Sequence, residues 1–164
     1  MRIYAIDPGP ERSALVVYSP VGGVLGHDTV TNSAMLVILH SEAVADDVLV
    51  VEQIAAMGMA VGAEVFETCF WSGRFVECWL RTKAVVWDRV KRHQVKTHLC
   101  NSMRAKDANI RQAIIDRFGP GKLAAIGTKA RHGPLYGIHG DEWAALAVAL
   151  TWADTRKAQL QEAS

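Results

Sequence analysis

No run of apolar residues in this chain approaches the length of a bilayer crossing, because charges interrupt even the longest stretches. A membrane protein is therefore not expected. The basic flank and apolar core of an export signal are missing too. The N-terminus opens directly on Met1-Arg2-Ile3-Tyr4-Ala5-Ile6, which reads as a strand, and a cytoplasmic protein is the expectation. Cysteine is scarce: Cys69, Cys78 and Cys100 are odd in number and lack the close pairing of a zinc site, so they read as reduced thiols in or near the core. No stretch has the composition of a linker and no internal repeat is visible, while 164 residues suffice to bury a sizeable core. A single domain over 1–164 is expected.

Basic side chains are almost absent from the first half. Residues 1–80 hold three against ten acidic ones, residues 81–131 hold thirteen basic and three acidic, and residues 132–164 hold two basic and four acidic. The formal net charge of +1 thus hides a middle third at +10. Clustered Lys and Arg gain from counterion release on contact with phosphates, so this segment points to a polyanionic partner. Lys91, Arg92, His93, Lys96 and His98 follow a strand and enter a short helix, Arg104, Lys106 and Arg111 lie on or just before the next helix, and Lys122, Lys129 and Arg131 belong to a loop. Contacts from such residues position a duplex without reading its sequence. The competing account, a solvated helix face balanced by the N-terminal acids, is weaker because some of those acids have another use.

The periodicity places strands first and helices later. Residues 2–7, 13–19 and 23–30 alternate or run apolar, with Gly22-Gly23 between the last two, which predicts a three-stranded antiparallel meander. Asn32 or Ser33 is expected to cap a helix through about Glu42, and 47–52 returns as a buried strand. Gly58 and Gly62 mark a loop before a helix at 63–82. A strand at 84–90, a short helix around 94–100 and a helix at 106–118 ending on Gly119-Pro120 follow. Residues 119–138 show little periodicity and read as a long, mobile, basic loop, a kind of segment that is often functional. A last helix is expected from about 140 to 157.

Three carboxylates stand at the ends of apolar runs: Asp7 after Ile3-Tyr4-Ala5-Ile6, Glu52 after Val48-Leu49-Val50-Val51, and Asp141 before the Ala- and Leu-rich run of the last helix. A buried strand is a rigid mount, and acids held at its exposed end can approach one another at low reorganisation cost. Close carboxylates resist ionisation unless a cation neutralises them. Magnesium or manganese, which prefer oxygen ligands, are the natural occupants. Taken singly, Asp7 is also good turn chemistry before Pro8-Gly9, and Glu52 could be an exposed strand end. Both being incidental is much less credible.

The order of three strands, helix, strand, helix, strand, helices is that of the ribonuclease H-like fold, an α/β arrangement with a mixed five-stranded sheet flanked by helices. Within it, Ile6-Asp7-Pro8-Gly9, Val51-Glu52, the Lys106–Gln112 stretch and Gly133-Pro134-Leu135-Tyr136-Gly137 through Ala145-Leu146-Ala147-Val148-Ala149 resemble the RuvC family of Holliday junction resolvases, particularly its phage-encoded members. The resemblance spans nearly the whole chain. It implies a dimeric, magnesium-dependent nuclease that nicks two opposed strands of a four-way DNA junction, acting in a bacterial host cell if phage-encoded. The expected chemistry is two-metal-ion phosphodiester hydrolysis, one cation lowering the pKa of the attacking water and the other stabilising the leaving 3′ oxygen, with Asp7 the first choice for the bridging ligand. It also implies two ligands three residues apart at the start of the last helix. Here the alignment places Asp141 on the first and Ala144 on the second, a departure from the four-acid pattern. His139 and Glu142, themselves three apart, are the local substitutes, as a ligand or as a handler of the attacking water's proton. For Glu142 a simple preference for the helix N-terminus competes.

The helix at 63–82 carries Phe66, Phe70, Trp71, Phe75 and Trp79, which do not all fit one face. A second apolar face suggests self-association, and the resemblance also makes this helix the dimer interface. Met57, Met59 and Tyr136 sit in loops near the expected site, where stacking on an opened base or packing back on the core are both open. Two other functions compete with a nuclease. One is an actin-like nucleotide-binding domain, suggested by Asp7-Pro8-Gly9 but needing a second such domain. The other is a noncatalytic branched-DNA or RNA binding protein that kept the fold.

Overall fold

The computed structural model describes residues 1–55 and 61–162. Its strands are β1 (Ile3–Asp7), β2 (Arg12–Ser19), β3 (Gly23–Thr31), β4 (Val48–Gln53) and β5 (Val86–Lys91). The helices are α1 (Asn32–Glu42), α2 (Ala63–Leu80), α3 (Arg92–Cys100), α4 (Asp107–Phe118), α5 (Lys122–Ala125) and α6 (Glu142–Glu162). The strands form one sheet in the order β3-β2-β1-β4-β5. β1, β2 and β3 are antiparallel neighbours, while β4 runs parallel to both β1 and β5. The sheet is therefore mixed, with β1 at its centre.

Side chains alternate across a strand, and that period of two sorts the core into two layers. Ile3, Ala5, Ala14, Val16, Val48 and Val50 pack with Val95, Ile110, Ile114 and the buried run Ala145–Leu150 of α6. Tyr4, Ile6, Leu15, Leu49 and Val51 pack on the other side with Met35 and Leu39 of α1 and Phe75 and Trp79 of α2. α6 is apolar nearly all round in its first half because it lies across the centre of the sheet. α2 is buried at Thr68, Phe75 and Trp79, and the Trp79 indole N–H donates to the Val86 carbonyl at 2.8 Å. Among the described residues no helix is long and apolar enough to cross a membrane.

The register of β1 on β4 is held from one end. Asp47, almost fully buried, accepts from the Arg2 backbone N–H at 2.9 Å, from the Arg2 guanidinium at 2.6 and 3.0 Å and from the Val44 N–H at 3.1 Å. The Val48 N–H donates to the Arg2 carbonyl at 2.9 Å, and pairing then runs from Ile3 with Val48 to Ile6 with Val51.

Several local expectations need correction. The N-cap of α1 is Thr31, whose hydroxyl accepts from the Ala34 N–H at 3.3 Å, and not Asn32 or Ser33. Asn32 is buried and used elsewhere. Residues 119–138 are not an irregular loop: α5 forms within them, Gly127 bridges to His132, and the N–H groups of Gly133 and Leu135 donate to Ile126 and Ala125 at 2.9 and 2.8 Å. The backbones approach so closely that a Cβ at Gly133 would lie 2.5 Å from the Ala125 carbonyl oxygen. Tyr136 stacks on His132 with ring centroids 3.5 Å apart. Cys69 is exposed and only Cys78 and Cys100 are partly buried, all three free thiols. Met57 and Met59 lie outside the described residues.

Removing the Asp47 carboxylate leaves two backbone N–H groups and a guanidinium without their acceptor. Asp47→Ala is expected to lower unfolding free energy by about 2–3 kcal/mol at pH 7 in urea denaturation. The Asp47 pKa is depressed, burial being outweighed by the Arg2 hydrogen bonds. The wild-type advantage must therefore be full above the ordinary carboxylate range and fade as pH falls below it.

Candidate active site

The alternation that sorts the core also aims the acids. Asp7 follows Ala5 and Glu52 follows Val50 by two residues, so both side chains leave the sheet on the α6 side, one step past the last β1–β4 pair. Asp141 stands immediately before α6, its carbonyl accepting from Ala144 and Ala145. A cleft of about 280 Å³ is lined by Asp7, Glu52, Arg92, Asp107, Ile110, Arg111, Gly140, Asp141, Trp143 and Ala144. Three elements far apart in sequence thus deliver three carboxylates to one place.

The turn after Asp7 is tied down by residues that the sequence did not single out. Ser13 and Asn32 are buried and bonded to each other at 2.7 Å. The Gly9 N–H donates to the Ser13 hydroxyl at 3.2 Å, and the Asn32 amide donates to the Gly9 carbonyl at 3.0 Å. A Cβ on Gly9 would sit 2.3 Å from the Arg12 carbonyl oxygen, which leaves room there only for glycine.

The electrostatics are those of crowded anions. Burial, then Glu52 and then Asp141 raise the Asp7 pKa to about 7. Burial raises the Glu52 pKa as well, with Arg92 opposing it. The Arg92 guanidinium reaches Glu52 at 3.3 Å and Asp107 at 2.5 Å. Asp107, in the first turn of α4, was not among the residues expected to act. Its only sequence signal was its place in the Lys106–Gln112 motif. Arg111 lies 4.6 Å over the Trp143 ring, which holds the guanidinium at the cleft through its face and leaves its N–H edge available.

Glu142 and His139 are not brought to the cleft. The Glu142 carboxylate is buried and accepts from His27 Nδ1 at 2.8 Å, from the His139 backbone N–H at 3.0 Å and, at the limit of hydrogen bonding, from the Thr29 hydroxyl at 3.5 Å. His139 Nδ1 lies 2.9 Å from the same carboxylate, its ring otherwise exposed. This cluster ties β3 to the turn that carries Asp141. Gly137 fits against it, with a Cβ position only 3.2 Å from the His27 ring.

Of the basic candidates, Arg92 points into the cleft and Arg111 lines it. Lys91, Arg104, Lys106, Lys122, Lys129 and Arg131 are exposed, Lys96 is half-buried, and none of the seven has a carboxylate partner within 4 Å among the described residues. His98 instead pairs with Asp154 at 2.8 Å.

The all-oxygen donor set of Asp7, Glu52 and Asp141 suits Mg2+ or Mn2+, and the Asp7 pKa is raised first by burial and then by the neighbouring Glu52 and Asp141 carboxylates. As they stand, no three His, Cys, Asp or Glu side chains among the described residues close to metal-ligand distance.

Strand order, mixed pairing and flanking helix layers define a ribonuclease H-like α/β fold. By structure the chain is similar to RuvC of Thermus thermophilus, with a TM-score of 0.69 at 18% identity over 97% of each chain. It is also similar to T. thermophilus RuvC solved in complex with a Holliday junction substrate, with a TM-score of 0.63 at 18% identity over 93% of each chain. No protein-family model matches the sequence, and a search of curated proteins finds no match.

The Asp7 titration has a signed consequence for the metal-free protein. The folded chain keeps Asp7 protonated up to about pH 7, whereas the ordinary value is 3.8. Stability should therefore fall as pH rises between these values and stay low above them. In EDTA, Asp7→Asn is expected to exceed the wild type in stability at pH 8, by at most about 4 kcal/mol, with the advantage vanishing toward pH 4. Urea unfolding at several pH values measures this, and a pH-independent difference would contradict it.

Proposed function

We propose that this chain is a divalent-metal-dependent endonuclease of the RuvC kind that cleaves four-way (Holliday) or other branched DNA by phosphodiester hydrolysis. The observation that carries the reading is the convergence of Asp7, Glu52 and Asp141 in one cleft of a fold shared with a protein solved on a Holliday junction. Those three residues would hold the cation, Mg2+ with Mn2+ as a substitute. The chemistry such a cation supplies is a lowered pKa for the attacking water and charge stabilisation at the leaving 3′ oxygen.

The chain's own residues do the rest. Asp7, Glu52 and Asp141 sit on rigid ends of β1, β4 and α6, which keeps their positions while DNA enters. Arg111, held flat on Trp143, presents N–H groups to a phosphate beside the acids. The exposed Lys91, Arg104, Lys106, Lys122, Lys129 and Arg131, with Lys96, extend the positive surface from α3 to the 119–138 segment and hold the backbone of the duplex arms. His139 and Glu142 act on the turn that carries Asp141, since their contacts are with each other and with β3.

The partner in the assembly is a second copy. On α2, Phe66 is 66% and Phe70 60% exposed, Trp71 is half-buried, and the Arg74 guanidinium lies over both Phe70 and Trp71. Such a contiguous apolar face on one helix fits a symmetric interface, which would set two clefts against a two-fold symmetric junction. Phe70→Asp is expected to convert a dimer to a monomer in light scattering after size exclusion, with the melting temperature little changed. A wild-type monomer at tens of micromolar would remove the interface.

Cleavage tests the activity. Wild-type protein should nick a four-way junction only with Mg2+ or Mn2+, and Asp7→Asn and Glu52→Gln should each abolish nicking while still binding the junction, with affinity falling steeply as salt rises. Salt-sensitive binding with no cleavage by the wild type would leave a noncatalytic branched-DNA binding protein instead.

A further inference from the structure

We propose that the Arg92 guanidinium is a resident cation of the cleft, taking the place of one of the two metal ions that a four-carboxylate site would hold, so that each chain binds one divalent ion. The inference rests on the nuclease reading and specifies its metal site. Ligand count comes first. A helix position three after Asp141 shares its face, and here that position is Ala144, which presents a methyl group to the cleft. A second ion would find no oxygen there.

Where oxygen is missing, positive charge is already installed. Glu52 pairs with Val90 in the β4–β5 ladder, and Val90 packs on the α6 side of the sheet. Arg92 lies two residues on and brings its side chain to the same side, where it bonds Glu52 and Asp107 together. Arginine is never neutral in a protein, so this charge does not depend on pH or metal supply. Asp107 fixes the guanidinium from α4 while Glu52 holds it from β4, and the side chain is about two-thirds buried. It is thus restrained between two elements, unlike the solvated lysines around it.

Charge balance agrees. The lining residues include four carboxylates, Asp7, Glu52, Asp107 and Asp141, and two guanidiniums, Arg92 and Arg111. Fully ionised, the free protein's cleft carries −2, which one divalent ion neutralises and two would overshoot. Among the described residues no three acidic side chains close on a common point, which is consistent with Arg92 holding part of the set in its own geometry.

The test is metal stoichiometry on the full chain, read by calorimetric titration with Mn2+ and by loss of the free-Mn2+ resonance signal, in wild type, Arg92→Gln, Arg92→Lys and Asp7→Asn, with thermal melts to confirm folding. One ion per chain is expected for the wild type and none for Asp7→Asn. Arg92→Gln, which keeps bulk and hydrogen bonding but loses the charge, should bind Mn2+ about tenfold more tightly or admit a second ion. At saturating metal it should cleave a four-way junction about 10²-fold more slowly, and Arg92→Lys should recover part of both properties. Two ions in the wild type, or an Arg92→Gln protein unchanged in metal affinity and in rate, would overturn the inference while leaving the nuclease reading intact. No Mn2+ binding by the wild type would instead overturn the nuclease reading, and this inference with it.

Discussion

The parallel pairing of β1 with β4 is the constraint on which the cleft depends. Asp7 and Glu52 face α6 because each lies an even number of residues beyond an inward-facing partner, Ala5 and Val50. A slip of one residue in either strand would turn its carboxylate to the α1–α2 side, where Ile6 and Val51 are buried. The pairing is fixed at the far end by Arg2 and Asp47, where a buried carboxylate takes both backbone and guanidinium hydrogens. Once that end is set, the four residue pairs bring Asp7 and Glu52 level. Position is decided at one end of the strands and chemistry at the other. The acids at the cleft end can therefore repel each other without disturbing the register.

The same sheet separates charge. α3, α4 and α5, which carry Arg92, Lys96, Arg111, Arg117 and Lys122, pack on the side to which Asp7 and Glu52 point, while α1 and α2 on the opposite side carry Glu42, Glu64, Glu67 and Glu77. The excess of +10 read from the sequence is not all available to a polyanion. Arg92 is committed to Glu52 and Asp107, Arg117 and His98 to Asp154, and Arg81 to Glu77. What remains without a carboxylate partner among the described residues is a narrower set, Lys83 and Arg89 before and in β5 and the others around α3, α4 and the 119–138 segment. Of the basic residues without a carboxylate partner, Arg111 is the one that lines the cleft beside Asp7, Glu52 and Asp141.

Asp7, Glu52 and Asp141 were legible in the sequence because each marks the point where an apolar run meets a charge, a local signal that survives without knowledge of the fold. The order of elements was legible for the same reason, and strand and helix limits differ from the periodicity by only a few residues. What could not be read were the partners made by folding. Glu142 looked like a ligand because it adjoins Asp141, but its environment is set by His27, 115 positions away in sequence. Asn32 looked like a cap, yet it bonds Ser13 and Gly9 across the meander. Asp107 entered the sequence reading only within the Lys106–Gln112 stretch, and its link to Glu52 through Arg92 is made by folding. The 119–138 segment was misread because its order comes from single backbone bonds and close glycine contacts, which have no period.

The start of α6 shows how an exposed carboxylate can still be held accurately. Successive helical residues point about 100° apart, so Asp141, Glu142 and Trp143 leave the same turn toward three different neighbours. Glu142 goes inward to β3 through His27 and Thr29, and Trp143 packs into the core beneath Arg111. Asp141 remains exposed just ahead of these two anchored residues, which hold the turn that carries it. With Ala144 unable to contribute an oxygen, any cation at this end of the cleft relies on Asp141 alone from α6. The buried Glu142 cluster is therefore worth more to the site than a ligand in its place would be: it fixes the one carboxylate of the three that is not mounted on a strand.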